Sequence, residues 1–410
     1  MTLNIPSRSI LILVDTLLYP ARRNGMSVRY FPLVRSFAKK GYTVDVLVIN
    51  KFNEQYSQRD IQGLRQYCRY VDVIEPVAGN EKFLRRWWRR VRNVAHLMAP
   101  FGRPYKLIDN QQDYYIAQVC DILASRDLYT VGVGVSVGGN NAGILLSLPD
   151  MIRPRRILCD FIDSAYLLKK RARIGRRRLV DWFGLLEEWK IRRWERSICR
   201  HCPCVYISKK DAESTGGLAH VIPNSIVEDG FDVATLVALE HPNIAFFGNM
   251  AYSPNAEGGA WLARELFPLL KESLPGLHCY IIGRNPGEDL RRLCQEQGIH
   301  ITGEVDNIWS YIRSVDVFVF PLFSGAGMQN KVLEAMHAGK PVVCTPIANE
   351  AIGAVHGEHI YLASNQAEFM AEITLALADD DKTGRNASEF VNTHFSITSV
   401  ADRYAELLEG

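Results

Sequence analysis

Ile10-Leu-Ile-Leu-Val14 is a short apolar run with no polar residue inside it. That is the pattern of a strand buried on both faces, not of one that turns a face to water. It runs into a loop, Pro20-Ala-Arg-Arg-Asn-Gly25. Val28, Phe31, Leu33, Val34 and Phe37 then follow at helical spacing, Gly41 marks a stop, and Val44-Asp-Val-Leu-Val48 reads as the next strand. The result is a βαβ unit whose loop lies at the carboxyl end of the first strand, where open α/β sheets bind ligands. Further strands are expected at Val71 to Ile74, Thr130 to Val135, Arg156 to Phe161 and Cys204 to Ile207. The half closes at Val221-Ile-Pro-Asn224, and the pattern restarts with Ile244-Ala-Phe-Phe247, Cys279-Tyr-Ile-Ile282, Val315 to Phe320 and Pro341-Val-Val-Cys344. Strands alternating with helices call for a doubly wound parallel sheet, here built twice. A chain of 410 residues, 47% of them apolar, exceeds what one core supports. Two domains are expected, at 1–225 and 226–395, with an amphipathic helix at 396–410.

No apolar run approaches the roughly 20 residues of a bilayer span. Ile10 to Val14 meets Asp15 at once, unlike a secretory leader, so the expected location is cytoplasmic. The nine cysteines are odd in number and scattered, which suits reduced thiols used as small hydrophobes. Cys199, Cys202 and Cys204 with His201 suggest zinc, but the second Cys-x-x-Cys usual in such sites is missing. No metal or other cofactor is expected. The net charge of +3 conceals a division. Residues 1–226 carry 37 basic and 20 acidic side chains, a net of +17, whereas 227–410 carry 11 and 25, a net of −14. The halves therefore face different partners.

The segment richest in chemistry is Phe320-Pro-Leu-Phe-Ser-Gly-Ala-Gly-Met-Gln-Asn-Lys-Val-Leu-Glu-Ala-Met336, a strand entering a glycine loop and then a helix. Glycines let backbone N–H groups approach an anion, and the helix start adds unsatisfied donors and positive dipole. Lys331 falls in the first helical turn, where a cation opposes the dipole. A diphosphate would account for it; a solvated lysine beside a turn is the plainer reading.

This segment resembles the donor-binding signature of retaining GT-B glycosyltransferases of the group 1 type. Phe247-Gly-Asn-Met-Ala-Tyr-Ser-Pro-Asn255, Ile281-Ile-Gly-Arg-Asn-Pro286 and Thr302-Gly-Glu-Val305 stand in the order and spacing of that family. The likeness is closest to a bacterial polysaccharide-assembly branch. It covers residues 244–378, with weaker matches at Asn24-Gly25, Asp160-Phe-Ile-Asp163 and Ile222-Pro-Asn-Ser225. The resemblance implies two Rossmann-like domains facing across a cleft, the second binding a nucleotide-sugar donor and the first an acceptor that is a saccharide or lipid-linked saccharide. It implies that Glu334 accepts hydrogen bonds from the donor ribose. It implies that Lys331 and the backbone N–H groups of Gly327, Met328, Gln329 and Asn330 hold the diphosphate, with Gly325 a further donor-binding residue of the loop, and that Val305 lies against the base. Gly248, Arg284 and Gly25 are further donor-binding candidates, with Arg284 a source of a second positive charge. Asn24 and Asp163 join Lys331 as catalytic candidates, although Asp163 also suits a helix cap.

The sequence departs from the family at two places. Ala326 stands where the family's loop carries a second glutamate, and Asn249 and Met250 follow Gly248 where basic residues are usual. Rival readings are a catalytically silent partner subunit and a sugar-nucleotide epimerase. The polybasic stretches Phe83–Arg92, with Trp87 and Trp88, and Lys169–Arg178 suit an anionic membrane surface, here the inner face of the plasma membrane. They suit nucleic acid less well, since no such module accompanies them.

Overall fold

A computed structural model of the chain describes residues 8–21, 23–76, 112–174, 182–226, 236–293, 298–325, 327–379 and 382–409. The chain divides into two compact units, one of residues 1–225 with 400–410 and one of residues 226–399.

Among the described residues the first unit holds a seven-stranded sheet. Its strands are β1 (Ser9–Val14), β2 (Thr43–Ile49), β3 (Tyr70–Ile74), β4 (Val131–Val135), β5 (Arg156–Ile162), β6 (Cys204–Tyr206) and β7 (His220–Val221). The order is β3-β2-β1-β4-β5-β6-β7 and every pairing is parallel. β1 lies at the centre with Ile10 to Val14 at most 2% exposed, which is why its sequence shows no alternation. Gly134 on β4 is obligatory. A Cβ there would stand 2.3 Å from the backbone nitrogen of Ala142, so only glycine lets the helix Asn140–Leu146 lie against the strand.

The second unit holds β8 (Asn243–Phe247), β9 (His278–Ile282), β10 (Ile299–Gly303), β11 (Val317–Phe320), β12 (Val342–Cys344) and β13 (Tyr361–Leu362), in the order β10-β9-β8-β11-β12-β13. Phe246, Phe247, Phe318 and Phe320 fill its centre in edge-to-face and stacked pairs. In each sheet the order reverses beside the first strand of the unit, at β1/β4 and at β8/β11, so each has its switch point there.

Three strands were not foreseen, β7, β10 and β13. Two of them have only two residues each, and β10 is broken at its end by a register shift between Ile301 and Gly303. The last helix, Ile397–Glu409, buries Val400, Ala401, Tyr404 and Leu408.

Candidate functional site

At the carboxyl end of β8 the chain turns at Gly248 and enters the helix Ser253–Trp261, which carries proline in its first turn. The loops after β8, β9 and β10 are tied together by the backbone. Gly248 N–H donates to Ile282 C=O (3.0 Å), Met250 N–H to Arg284 C=O (3.0 Å), and Gly283 N–H to Gly303 C=O (3.0 Å). Gly283 has φ +140°, and a Cβ on it would stand 2.0 Å from the carbonyl oxygen of Gly248. The close approach of the two loops therefore depends on glycine.

Beyond β11, Pro321 to Gln329 lead into the helix Asn330–His337, whose N-cap Gln329 makes no side-chain cap bond. Gly325 (φ +126°) and Gly327 (φ +72°) supply the turns, and Met328 is buried. Ala326 lies outside the described residues. Lys331 reaches back across the switch point and donates to Asn255 Oδ1, with its ammonium 5.2 Å from the centre of the Phe246 ring. The amide of Asn255 is held from its other side, where Nδ2 donates to the Asn249 carbonyl (2.9 Å). Burial pulls the Lys331 ammonium down from its ordinary 10.5 to about 7, partly offset by the charge of Glu334 one turn on. A lysine in this state takes up a proton readily when an anion arrives.

Glu334 is half-buried on the same helix. Arg284 is exposed just after β9, and Val305 is half-buried in the loop after β10. The carboxyl ends of β8, β9, β10 and β11 thus carry Gly248, Arg284, Val305, the glycine loop, Lys331 and Glu334 on one edge of one sheet. Two contributors went unread in the sequence. Asn255 holds Lys331. Glu257 accepts from Ser253 Oγ (2.5 Å) and Ser324 Oγ (3.3 Å), placing a carboxylate beside the loop that lacks one at Ala326. Asn249 serves the loop itself, accepting from Ala251 N–H and Asn285 Nδ2 (3.1 Å each).

In the first unit the candidates part company. Asn24 is the N-cap of the helix Gly25–Lys39, with a reciprocal capping box to Ser27, and its Nδ2 donates to Thr16 Oγ1 (3.1 Å). Gly25 opens that helix with open space at its Cβ position. Asp160 and Asp163 do not lie on one continuous strand. Ile162 takes φ +64° at a register shift, so β5 ends before Asp163. The cap of the next helix is Ser164, whose Oγ accepts from Leu167 N–H (3.2 Å), and not Asp163.

Asp160 is buried in an ion pair with Arg29 (3.0 Å) and accepts from Tyr30 Oη (2.6 Å), Tyr404 Oη and Ile162 N–H (2.8 Å). Arg29 donates onward to Ile222 C=O, Pro223 C=O and Asn224 Oδ1 (2.9 to 3.0 Å). Two of the three weak sequence matches of the first half, Asp160–Asp163 and Ile222–Ser225, meet in this hub, which is buried. At the switch point of this sheet Lys51 pairs with Asp15 (2.8 Å), and Asn141 Nδ2 donates to Asp15 (2.9 Å) and to Val135 C=O (2.7 Å). Cys159, Cys202 and Cys204 are core residues, with Cys199 packed against them.

The helix-loop geometry after β11 falls within a recognised segment. Residues 241–380 match the family described as "Glycosyl transferases group 1". Those residues form a group 1 glycosyltransferase domain. A Klebsiella pneumoniae protein described as an uncharacterized 44.6 kDa protein in cps region is 27% identical to the chain over 143 residues, 33% of this chain and 37% of that protein. Phosphatidyl-myo-inositol mannosyltransferase of Mycolicibacterium smegmatis is 28% identical over 178 residues, 42% of this chain and 45% of that one. The chain thus matches less than half the length of these relatives. Sucrose-phosphate synthase of Thermosynechococcus elongatus superposes with a TM-score of 0.65 at 15% identity, and Anabaena HepE in complex with UDP with 0.60 at 15%. Both cover 98% of this chain and at least 98% of their own. Around the glycosyltransferase domain, the chain as a whole has the two-domain GT-B fold. Among the described residues no helix is long and apolar enough to cross a membrane.

Proposed function

We propose that this protein transfers a sugar, with retention of anomeric configuration, from a nucleoside diphosphate sugar to a saccharide or lipid-linked saccharide during assembly of a bacterial surface glycan. The observation that carries the reading is the placement of Lys331. Its amine is largely removed from water, held by Asn255 at the start of a helix behind a glycine loop, one turn before Glu334. Such a group holds its charge more firmly once an anion faces it, so it stabilises a departing diphosphate better than it stabilises the empty site. Glu334 offers two carboxylate oxygens to a vicinal diol. HepE is described in complex with UDP-glucose, which makes uridine nucleotides the first to try. The cps-region and mannosyltransferase relatives support the glycan setting. Since lysine and backbone N–H groups supply the positive charge, transfer should need no metal.

The experiment is a thermal-shift panel of UDP, GDP, ADP and their sugars, followed by nucleoside diphosphate release with and without a saccharide acceptor, in EDTA. Acceptor-dependent release supports transfer. Binding without any turnover would identify a silent subunit, conversion of the donor without acceptor an epimerase, and activity lost in EDTA but restored by manganese a metal-dependent site.

A further inference from the structure

His278 and His300 are 22 residues apart in sequence, and the second sheet brings them together. β9 and β10 pair in parallel with Tyr280 beside His300, so residues 278, 280 and 300 share one face. The His300 ring stacks on Tyr280 (4.7 Å) and lies 5.6 Å from the His278 ring. His278 Nδ1 stands 3.3 Å from His300 Nε2. Two nitrogens each about 2.0–2.1 Å from one tetrahedral zinc ion would be roughly 3.3–3.4 Å apart.

The other nitrogen of His278, Nε2, is 2.9 Å from Glu240 Oε2. A carboxylate there keeps the proton on Nε2 and turns the Nδ1 lone pair toward His300, as the outer partners of metal-bound histidines do. Glu240 is itself fixed, its backbone N–H donating to Tyr280 Oη (3.0 Å). The ligand atoms of the three residues lie within 4.8 Å of one another.

We propose that His278 and His300 bind one divalent ion of the zinc class between Nδ1 and Nε2, with Glu240 holding the far nitrogen of His278 and water completing the shell at the exposed His300. Imidazole donors select zinc, nickel or copper over magnesium and calcium. β10 is the sheet's edge strand, so the ion ties that edge to β9, and Glu240 links His278 on to the segment entering β8. The site lies at the amino-terminal ends of the strands. Lys331 and Glu334 lie beyond their carboxyl ends, so binding here is independent of donor chemistry.

The test is isothermal titration of the untagged, chelator-stripped full chain with zinc chloride, set against magnesium and calcium chloride. One zinc per chain is expected, at least tenfold tighter than either, with at least a tenfold loss in His300→Ala and in His278→Ala. His300 is exposed on an edge strand, so its removal leaves the core intact, and unchanged far-ultraviolet circular dichroism would confirm this. The nine cysteines are the competing zinc ligands. Cobalt(II) should therefore give visible bands without a thiolate charge-transfer band. Absence of a one-to-one zinc event, titrations unchanged by both substitutions, or a thiolate band would each overturn the site.

Discussion

Lys331 and Arg29 are both largely withdrawn from water, yet they reach opposite ends. Lys331 faces Asn255, a neutral partner, and burial lowers its pKa to about 7. The folded state then binds fewer protons than the unfolded state between pH 7 and the ordinary 10.5. Stability of the unliganded protein should accordingly rise with pH across that window. A diphosphate reverses the preference, because it favours the charged amine. Nucleoside diphosphate affinity should be greatest at or below pH 7 and fall by up to about tenfold per pH unit above it. Lys331→Met should flatten that slope in calorimetric titrations at pH 6 to 9. Turnover in Lys331→Ala should drop on the order of 10² to 10³ fold, as for other preorganised anion sites, while Glu334→Gln should mainly weaken nucleotide binding. Parental behaviour of both would place the donor elsewhere. Arg29, in contrast, faces Asp160 at 3.0 Å with both side chains at most 1% exposed. Arg29→Ala strands a buried carboxylate and should cost about 3–5 kcal/mol in urea unfolding followed by tryptophan fluorescence. The apolar pair Arg29→Met with Asp160→Leu should cost less than that single change. A cost under about 1 kcal/mol for Arg29→Ala would mean the hub is not a structural ion pair.

The two sheets were legible because their central strands are buried on both faces, and continuous apolar runs such as Ile10 to Val14 are the direct consequence. The helix Gly25–Lys39 announced itself through its apolar spacing. The capping box at Asn24 and Ser27 is also written in the sequence, where a polar residue before a helix fits a cap as well as a site. The loops at the strands' carboxyl ends were legible as glycine turns, though the reason for each glycine was not. Gly283 must be glycine because of Gly248, 35 positions away, whose carbonyl a Cβ would strike. Gly283→Ala should therefore cost on the order of 1–3 kcal/mol of stability and weaken nucleotide binding. Gly287→Ala, with open space around it, should leave both unchanged. Equal melting temperatures for the two variants would show that the loops part without cost. β7 and β13 were invisible because two residues carry no periodicity.

At the scale of the whole molecule the charge is divided, +17 over residues 1–226 and −14 over 227–410. Each Lys or Arg near an anionic lipid surface contributes on the order of 1 kcal/mol. Reversible attachment through the basic half, fading as salt screens it, is the expected outcome in liposome sedimentation. Changing Arg85, Arg86, Arg89 and Arg90 to Glu should release the protein from anionic vesicles and leave nucleotide binding intact. Those arginines, with Trp87 and Trp88, lie outside the described residues, so this expectation rests on sequence alone. Equal sedimentation of parent and variant, or indifference to anionic lipid, would assign the charge to a soluble acceptor or to a solvated helix.

By itself the sequence determined the class of fold, its duplication, the glycine loop and helix start from Gly325 to Glu334 and the division of charge. Each of these is written in local spacing, composition or ordered motifs. Only the tertiary structure decided what the lone polar residues do. It set Asp160 against Arg29, Tyr30 and Tyr404, Asn255 against Lys331, and His278 against His300. Partners 22 to 244 residues apart leave no periodic trace, because a polar side chain's role depends on what shares its burial, and burial is fixed by the packing of the whole domain.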